Sequence, residues 1–258
     1  MWTGKGSRAQ LELRGNTIRG RIPWVPSERV DLLVLLDEEG CRVVESRVHC
    51  QPVRGSGLRA AGAAELQLEE AKVAAHFRDE KAAQRALARA RLYITALLVG
   101  VMRESALFSR QYALDRVAFG KPIAHHQALA FLIADMAIAV DGCRLLMFEA
   151  ACRIDKVEGT GVSEGLDDNE VLCSTAEAAE AAASAFLEAA EQAMFVTPNG
   201  VQILGGHGFM QDYPVEKMMR EARALSLLLG GVDLAREEAG RELATRQGHI
   251  PLSLEASP

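Results

Sequence analysis

Three long stretches of this 258-residue chain repeat apolar side chains at helical intervals, and nothing else in the sequence narrows the fold so far. In the first, Leu87, Ala90, Ile94, Leu97, Val101, Phe108 and Tyr112 share one face. In the second, Leu129, Ile133, Met136, Val140, Cys143, Met147, Ala150 and Ile154 follow a strict alternation of four and three. In the third, Leu172, Ala176, Ala179, Ala183, Phe186, Ala190 and Ala193 repeat the pattern with alanine dominant, which lets a neighbouring helix approach closely. Such faces pack long helices nearly antiparallel. Two shorter helices are expected near 213–223 and 232–247, and glycine and polar residues at 158–168 mark a loop between the second and third helices.

The first part of the chain has another period. Leu11–Leu13 and Thr17–Arg19 flank Arg14-Gly15-Asn16, and Leu32–Leu36 and Cys41–Val44 flank Asp37–Gly40, two hairpin signals. Ala64, Leu66 and Leu68 alternate with polar residues as in a half-buried strand, while Pro23 and Pro26 mark a strand end or an edge. The reading is an α+β chain: a partial β-domain over 1–78, an antiparallel helical bundle over 79–247, and a frayed tail over 248–258. On these patterns alone, an interaction module fits as well as an enzyme.

Composition removes several classes. A net charge of -6 without a basic block argues against nucleic acid as a partner. Five scattered cysteines do not form a disulfide framework and point to a reducing cytoplasm. The first residues carry no signal-peptide pattern, and apolar runs such as Ile94–Met102 are too short to cross a bilayer. The six histidines show no zinc spacing, and Cys41, His49 and Cys50 lack a fourth ligand, so no metal is expected. Neither a Gly-x-Ser-x-Gly elbow nor a P-loop is present.

Three ordered blocks carry a resemblance. They are Tyr112-Ala-Leu-Asp-Arg-Val-Ala-Phe-Gly-Lys-Pro-Ile123 with Gln127, Gly200-Val-Gln-Ile-Leu-Gly-Gly-His-Gly-Phe209, and Asp212-Tyr-Pro-Val-Glu-Lys217 leading to Arg220-Glu-Ala-Arg223. In order and spacing they resemble the acyl-CoA dehydrogenases over about Leu11 to Ala244. The resemblance implies FAD in a cleft completed by a neighbouring subunit. Arg116 matches the arginine on the pyrophosphate, where a permanently charged planar fork suits phosphate oxygens. Phe119 belongs to the same cofactor-facing block, Gln127 matches a cofactor contact, and Gln202, Gly205 and Gly206 match the turn against the adenosine half. Trp24 matches the aromatic that packs on the flavin ring, although Pro26 stands where the family often has a hydroxyl. Read without the family, Arg116 pairs with Asp115, Gly205 and Gly206 end a helix, and Trp24 is a core aromatic.

Two departures accompany the resemblance. Relative to the family, the chain is expected to lack the N-terminal helical domain and a β loop that holds flavin and substrate. The catalytic glutamate is also missing from both of its known positions: Leu229 stands in the turn 228–231 and Ala90 on the first long helix. Asp233 is the nearest substitute, though a charge there more often stabilises a helix start, and Glu104 and Glu221 read as solvated. The resemblance then implies an oxidoreductase subunit acting on CH–CH bonds of acyl-CoA, either a homo-oligomer or a heteromer with a fuller subunit that supplies the base. The alternatives are a non-catalytic acyl-CoA- or partner-binding scaffold and a decayed gene product.

Overall fold

The computed structural model describes residues 1–4, 7–45, 48–159 and 173–245. The expected loop after Gly159 and the expected tail therefore lie outside the described residues, the first of them from 160.

Six antiparallel strands form one sheet: β1 (Gln10–Arg14), β2 (Thr17–Val25), β3 (Leu33–Leu36), β4 (Gly40–Glu45), β5 (His49–Pro52) and β6 (Ala64–Arg78). Their order is β1-β2-β6-β4-β3, with β5 pairing β6 as well, so the 15-residue β6 is the spine. Both hairpins read from the sequence are present as β1–β2 and β3–β4. Pro23 sits inside β2, at a register irregularity between Ile22 and Val25, where β1 no longer covers the strand. The missing amide proton therefore breaks no ladder bond on that side. One face is apolar, with Ile22, Leu66 and Leu68 fully buried.

The bundle comprises α1 (Glu80–Asp115), α2 (Gln127–Glu158), α3 (Thr175–Leu204), α4 (Val215–Leu225) and α5 (Gly231–Thr245). Asp79 caps α1 by accepting from the Ala82 amide, and Ser174 with Glu177 forms a capping box on α3. The alanine-rich α3 runs through the middle, packed by the other four helices. From Ala176 onward its stripe, like that of α2, faces inward as expected, while Leu172 lies outside the described residues. The α1 stripe does not follow its expected line. The buried face passes through Leu87, Arg91, Ile94, Leu98, Met102, Ser105 and Ser109, leaving Ala90 half-buried and Leu97 38% exposed. Thr95 and Ser109 return their hydroxyl protons to the carbonyls of Arg91 and Ser105, so small polar residues sit comfortably inside and hydrophobicity alone misplaces the face. An 18-residue window of α1 has a mean hydropathy of 1.4, long and apolar enough to cross a membrane by composition, yet in this fold α1 lies along α3.

Two sets of contacts between sheet and bundle bear on the site. Glu221 on α4 accepts the Leu58 amide at 3.0 Å, and neighbouring Arg220 donates to the Ser56 carbonyl. Glu221 is thus a half-buried tie between the two parts, not the solvated charge expected from sequence, because the loop before β6 closes over it. In the second set Trp2, 5% exposed, packs in one cluster with Leu36, Leu87, Leu229 and Leu234.

Candidate functional site

The last turn of α1 leads into a two-residue hairpin, β7 (Val117–Ala118) and β8 (Lys121–Pro122). Phe119 and Gly120 form its tip with φ of 52° and 79°, the left-handed pair that such a tight turn requires. The Arg116 amide still bonds to Tyr112 O, and its carbonyl accepts from the Ile123 amide at 2.8 Å, so the residue is held at the hairpin base. Its side chain is exposed and makes no hydrogen bond or ion pair among the described residues. The expected alternative, pairing with Asp115, does not form: that carboxylate accepts from Gln111 at 3.1 Å. Phe119 is 95% exposed, and Gln127 opens α2 directly after the hairpin, also exposed.

At the same end of the bundle α3 stops at Gly205, whose amide bonds to the Gln202 carbonyl. Gly205 has φ 57° and ψ -129°, a conformation essentially reserved for glycine. A Cβ at Gly205 or Gly206 would meet nothing within 4 Å, so this turn presents bare backbone outward. Its tie to α1 is the 2.6 Å hydrogen bond between Tyr112 Oη and His207 Nδ1. His207 stacks on Tyr213 at 5.3 Å, and Phe108 meets Tyr213 edge-on at 6.4 Å. Sequence reading did not single out this support. Tyr112, His207 and Tyr213 all stood in the three blocks, but their pairing spans 95 residues and has no local signature.

Arg116, Phe119 and Gln127 are therefore grouped, and the Tyr112–His207 bond joins them to Gln202, Gly205 and Gly206. The surface they share holds an uncommitted guanidinium, exposed amides and an exposed ring, a donor set suited to a phosphate-bearing ligand with a flat group. Trp24 lies apart from it on β2, half-buried with Nε1 near Gly55.

The turn between α4 and α5 has three successive left-handed residues, Leu229, Gly230 and Gly231, at φ 55°, 87° and 71°. Leu229 points into the Trp2 cluster and offers no proton acceptor. Ala90 offers none either. Next to it, Arg91 is buried and paired with Glu238. Asp233, in the first turn of α5, has a side chain 94% exposed and 3.5 Å from Arg236, which is not the dry setting that proton abstraction from a carbon acid requires. Among the described residues no three His, Cys, Asp or Glu side chains gather as for a metal.

Known proteins give this geometry a context. Residues 80–244 match the model of the acyl-CoA dehydrogenase C-terminal domain. Cyclohex-1-ene-1-carbonyl-CoA dehydrogenase of Syntrophus aciditrophicus is 35% identical over 158 residues, 61% of this chain and 34% of that protein. The ChsE4–ChsE5 complex from Mycobacterium tuberculosis superimposes with a TM-score of 0.75 at 25% identity, covering 96% of this chain and 67% of that one. A glutaryl-CoA dehydrogenase of Mycobacterium smegmatis in complex with FADH2 gives 0.72 at 19% identity, over 94% of this chain and 62% of that one. The chain spans about a third of the length of the first of these relatives. With the family model matching residues 80–244, well over half of the chain, the chain belongs to the acyl-CoA dehydrogenase family.

Proposed function

We propose that this chain is one subunit of an FAD-dependent oxidoreductase that introduces a double bond into an acyl-CoA thioester, and that a homologous partner subunit supplies the catalytic base. One observation carries the reading: the exposed, uncommitted Arg116 stands in a chain that has Leu229 and Ala90, neither a proton acceptor, where the family resemblance leads one to expect the base. A patch built to serve a neighbour's cofactor explains both halves of that contrast. A solved structure to which this chain is similar is that of the ChsE4–ChsE5 complex, which supports a partner for this chain.

The residues present fit a flavin dinucleotide. Arg116 would meet the pyrophosphate as a fixed charge. Gly205 and Gly206 have open space where any other residue would carry a side chain, so their backbone can approach the adenosine half. Gln202 and Gln127 would supply amide groups and Phe119 a wall, while Trp24, apart from this patch on the sheet, would face a flavin ring only at a separate site. When bound, the flavin supplies the hydride acceptor of the dehydrogenation. The task of this chain is then to hold and orient, while proton removal falls to a carboxylate of the partner. Five free cysteines accord with a cytoplasmic setting. The same Leu229 and Ala90 favour a second reading, a binding scaffold without turnover.

Expression of the chain alone and with its nearest encoded homologue tests the proposal, with visible spectra, flavin stoichiometry and dye-coupled acyl-CoA oxidation measured on each sample. A yellow, active sample from the pair alone is expected. A yellow pair that oxidises no acyl-CoA would favour the scaffold, and colourless protein in both samples would remove the cofactor assignment.

A further inference from the structure

His207 follows Gly205 and Gly206 directly, in the turn Gly205–Phe209. Its ring is held from two sides. Tyr112 Oη reaches Nδ1 from α1 at 2.6 Å, and Tyr213 stacks on the ring at 5.3 Å with the planes 15° apart. Tyr112 also meets both rings edge-on, at 5.9 Å from His207 and 6.0 Å from Tyr213. The Tyr112 hydroxyl has no other acceptor among the described residues, so it donates to Nδ1. A neutral imidazole has one acceptor nitrogen and one N–H, which assigns the ring proton to Nε2. Nε2 has no hydrogen-bond partner among the described residues, and unlike the closed-off Nε2 of His76 it keeps contact with solvent.

We propose that His207 is a ligand-binding residue, its Nε2–H donating to a phosphate oxygen of a nucleoside diphosphate group, with Tyr112 as the positioning residue that sets the ring and its tautomer. The inference rests on the flavin dinucleotide site proposed above and adds a donor to it. Tyr112 serves two donors at once. Its carbonyl accepts the Arg116 amide, and its hydroxyl holds His207 beside the bare backbone of Gly205 and Gly206. A ring already fixed by one hydrogen bond and two aromatic contacts has little freedom left to lose on binding. An N–H aimed at a phosphate oxygen makes a charge-assisted bond without adding a second cation next to Arg116. A histidine with a purely structural task would need Nδ1 alone, and asparagine would then replace it at little cost.

The test titrates the whole purified chain with ADP and with adenosine, followed by calorimetry and by proton–nitrogen NMR of the histidine rings. The chain holds six histidines, and the signal lost in His207→Asn assigns this one. His207→Asn puts an amide oxygen near the place of Nδ1, keeping the Tyr112 bond, and removes the outer donor. His207→Gln does the reverse, putting an amide N–H near the place of Nε2. ADP should shift the His207 Nε2–H signal saturably, and adenosine should leave it in place. His207→Asn should weaken ADP about tenfold, the low end for a hydrogen bond to a charged group, with the thermal transition retained. His207→Gln should weaken ADP less. The opposite ranking, with Asn binding as the native protein does and Gln impaired, would make His207 structural and overturn the proposal. If Arg116→Ala still weakens ADP in that case, the cofactor reading survives without His207. A His207 signal unmoved at ADP saturation, or moved equally by adenosine, would also overturn it. No saturable ADP binding at all would overturn it together with the pyrophosphate role of Arg116.

Discussion

Arg116 is available because Asp115 is engaged elsewhere, a detail decided by Gln111 one turn earlier. Charge-assisted hydrogen bonds are worth about 1.5–3 kcal/mol each, so Arg116→Ala should weaken flavin retention in the assembled protein by roughly 10- to 100-fold. Arg116→Lys should recover only part, since a point charge replaces a planar fork. Flavin-to-protein ratios after dialysis measure both, and an unchanged ratio in Arg116→Ala would remove this residue from the site. The sequence blocks named Arg116, Gln202 and the glycines because family spacing is local information. They could not show that Tyr112 and His207 hold the two halves together, because that bond depends on how α1 packs on α3. Cys143 illustrates burial acting on chemistry. Burial, with Glu188 as a lesser cause, pushes its thiol up to about 12 from an ordinary value of 9.0. The folded state therefore favours the protonated thiol, and its contribution to stability is full below pH 9.0 and is lost as pH rises towards about 12. Iodoacetamide at pH 8 should label exposed Cys152 in the native protein and spare Cys143, as peptide mapping would show.

At the scale of the element, α3 defies local punctuation. Thr197-Pro198-Asn199-Gly200 would ordinarily end a helix, yet α3 continues through it to Leu204. Tertiary packing is the reason. Gly200 is buried against α1, where an added Cβ would lie 2.4 Å from Ser105 Oγ and 3.0 Å from Ser109 Oγ. Gly200→Ala should therefore destabilise the protein by about 1–2 kcal/mol, because overpacking of about 1–3 kcal/mol exceeds the helix-propensity gain of up to about 1 kcal/mol. In a Ser105→Ala background the same substitution should be close to neutral or stabilising. Urea denaturation of the four proteins closes the cycle, and an equal cost in both backgrounds would refute this packing account. The α1 stripe was misplaced for a related reason. Arg91, Thr95, Ser105 and Ser109 face inward while Tyr93 and Leu97 face out, and no hydrophobic count anticipates a buried arginine. The strict spacing of α2 and the alanines of α3 carried no such conflict, so they could be read directly.

Across the described molecule, two helices carry rows of exposed apolar side chains on their outward faces. On α2, Phe131, Ile138 and Leu145 are spaced seven apart and are 60%, 70% and 66% exposed, with Phe148 beside them at 54%. On α1, Tyr93 and Leu107 are 65% and 43% exposed. Monomeric proteins seldom leave such rows contiguous, and a stable interface needs about 800 Å² per partner, an area that two helical rows of large side chains can supply. Charge placed on one row should therefore separate the assembly without unfolding the bundle, because these residues lie outside the core around α3. Ile138→Lys with Leu145→Lys should lower the sedimenting mass of the purified protein or of its co-expressed pair, with helical circular dichroism unchanged. Flavin should be lost in the same step if the Arg116 patch serves a neighbour's site. Loss of mass with flavin retained would confine cofactor binding to one chain and separate the association surface from the cofactor surface. Unchanged mass would mean that the α2 row is tolerated in solvent, and the α1 row around Tyr93 would then be the surface through which a partner docks.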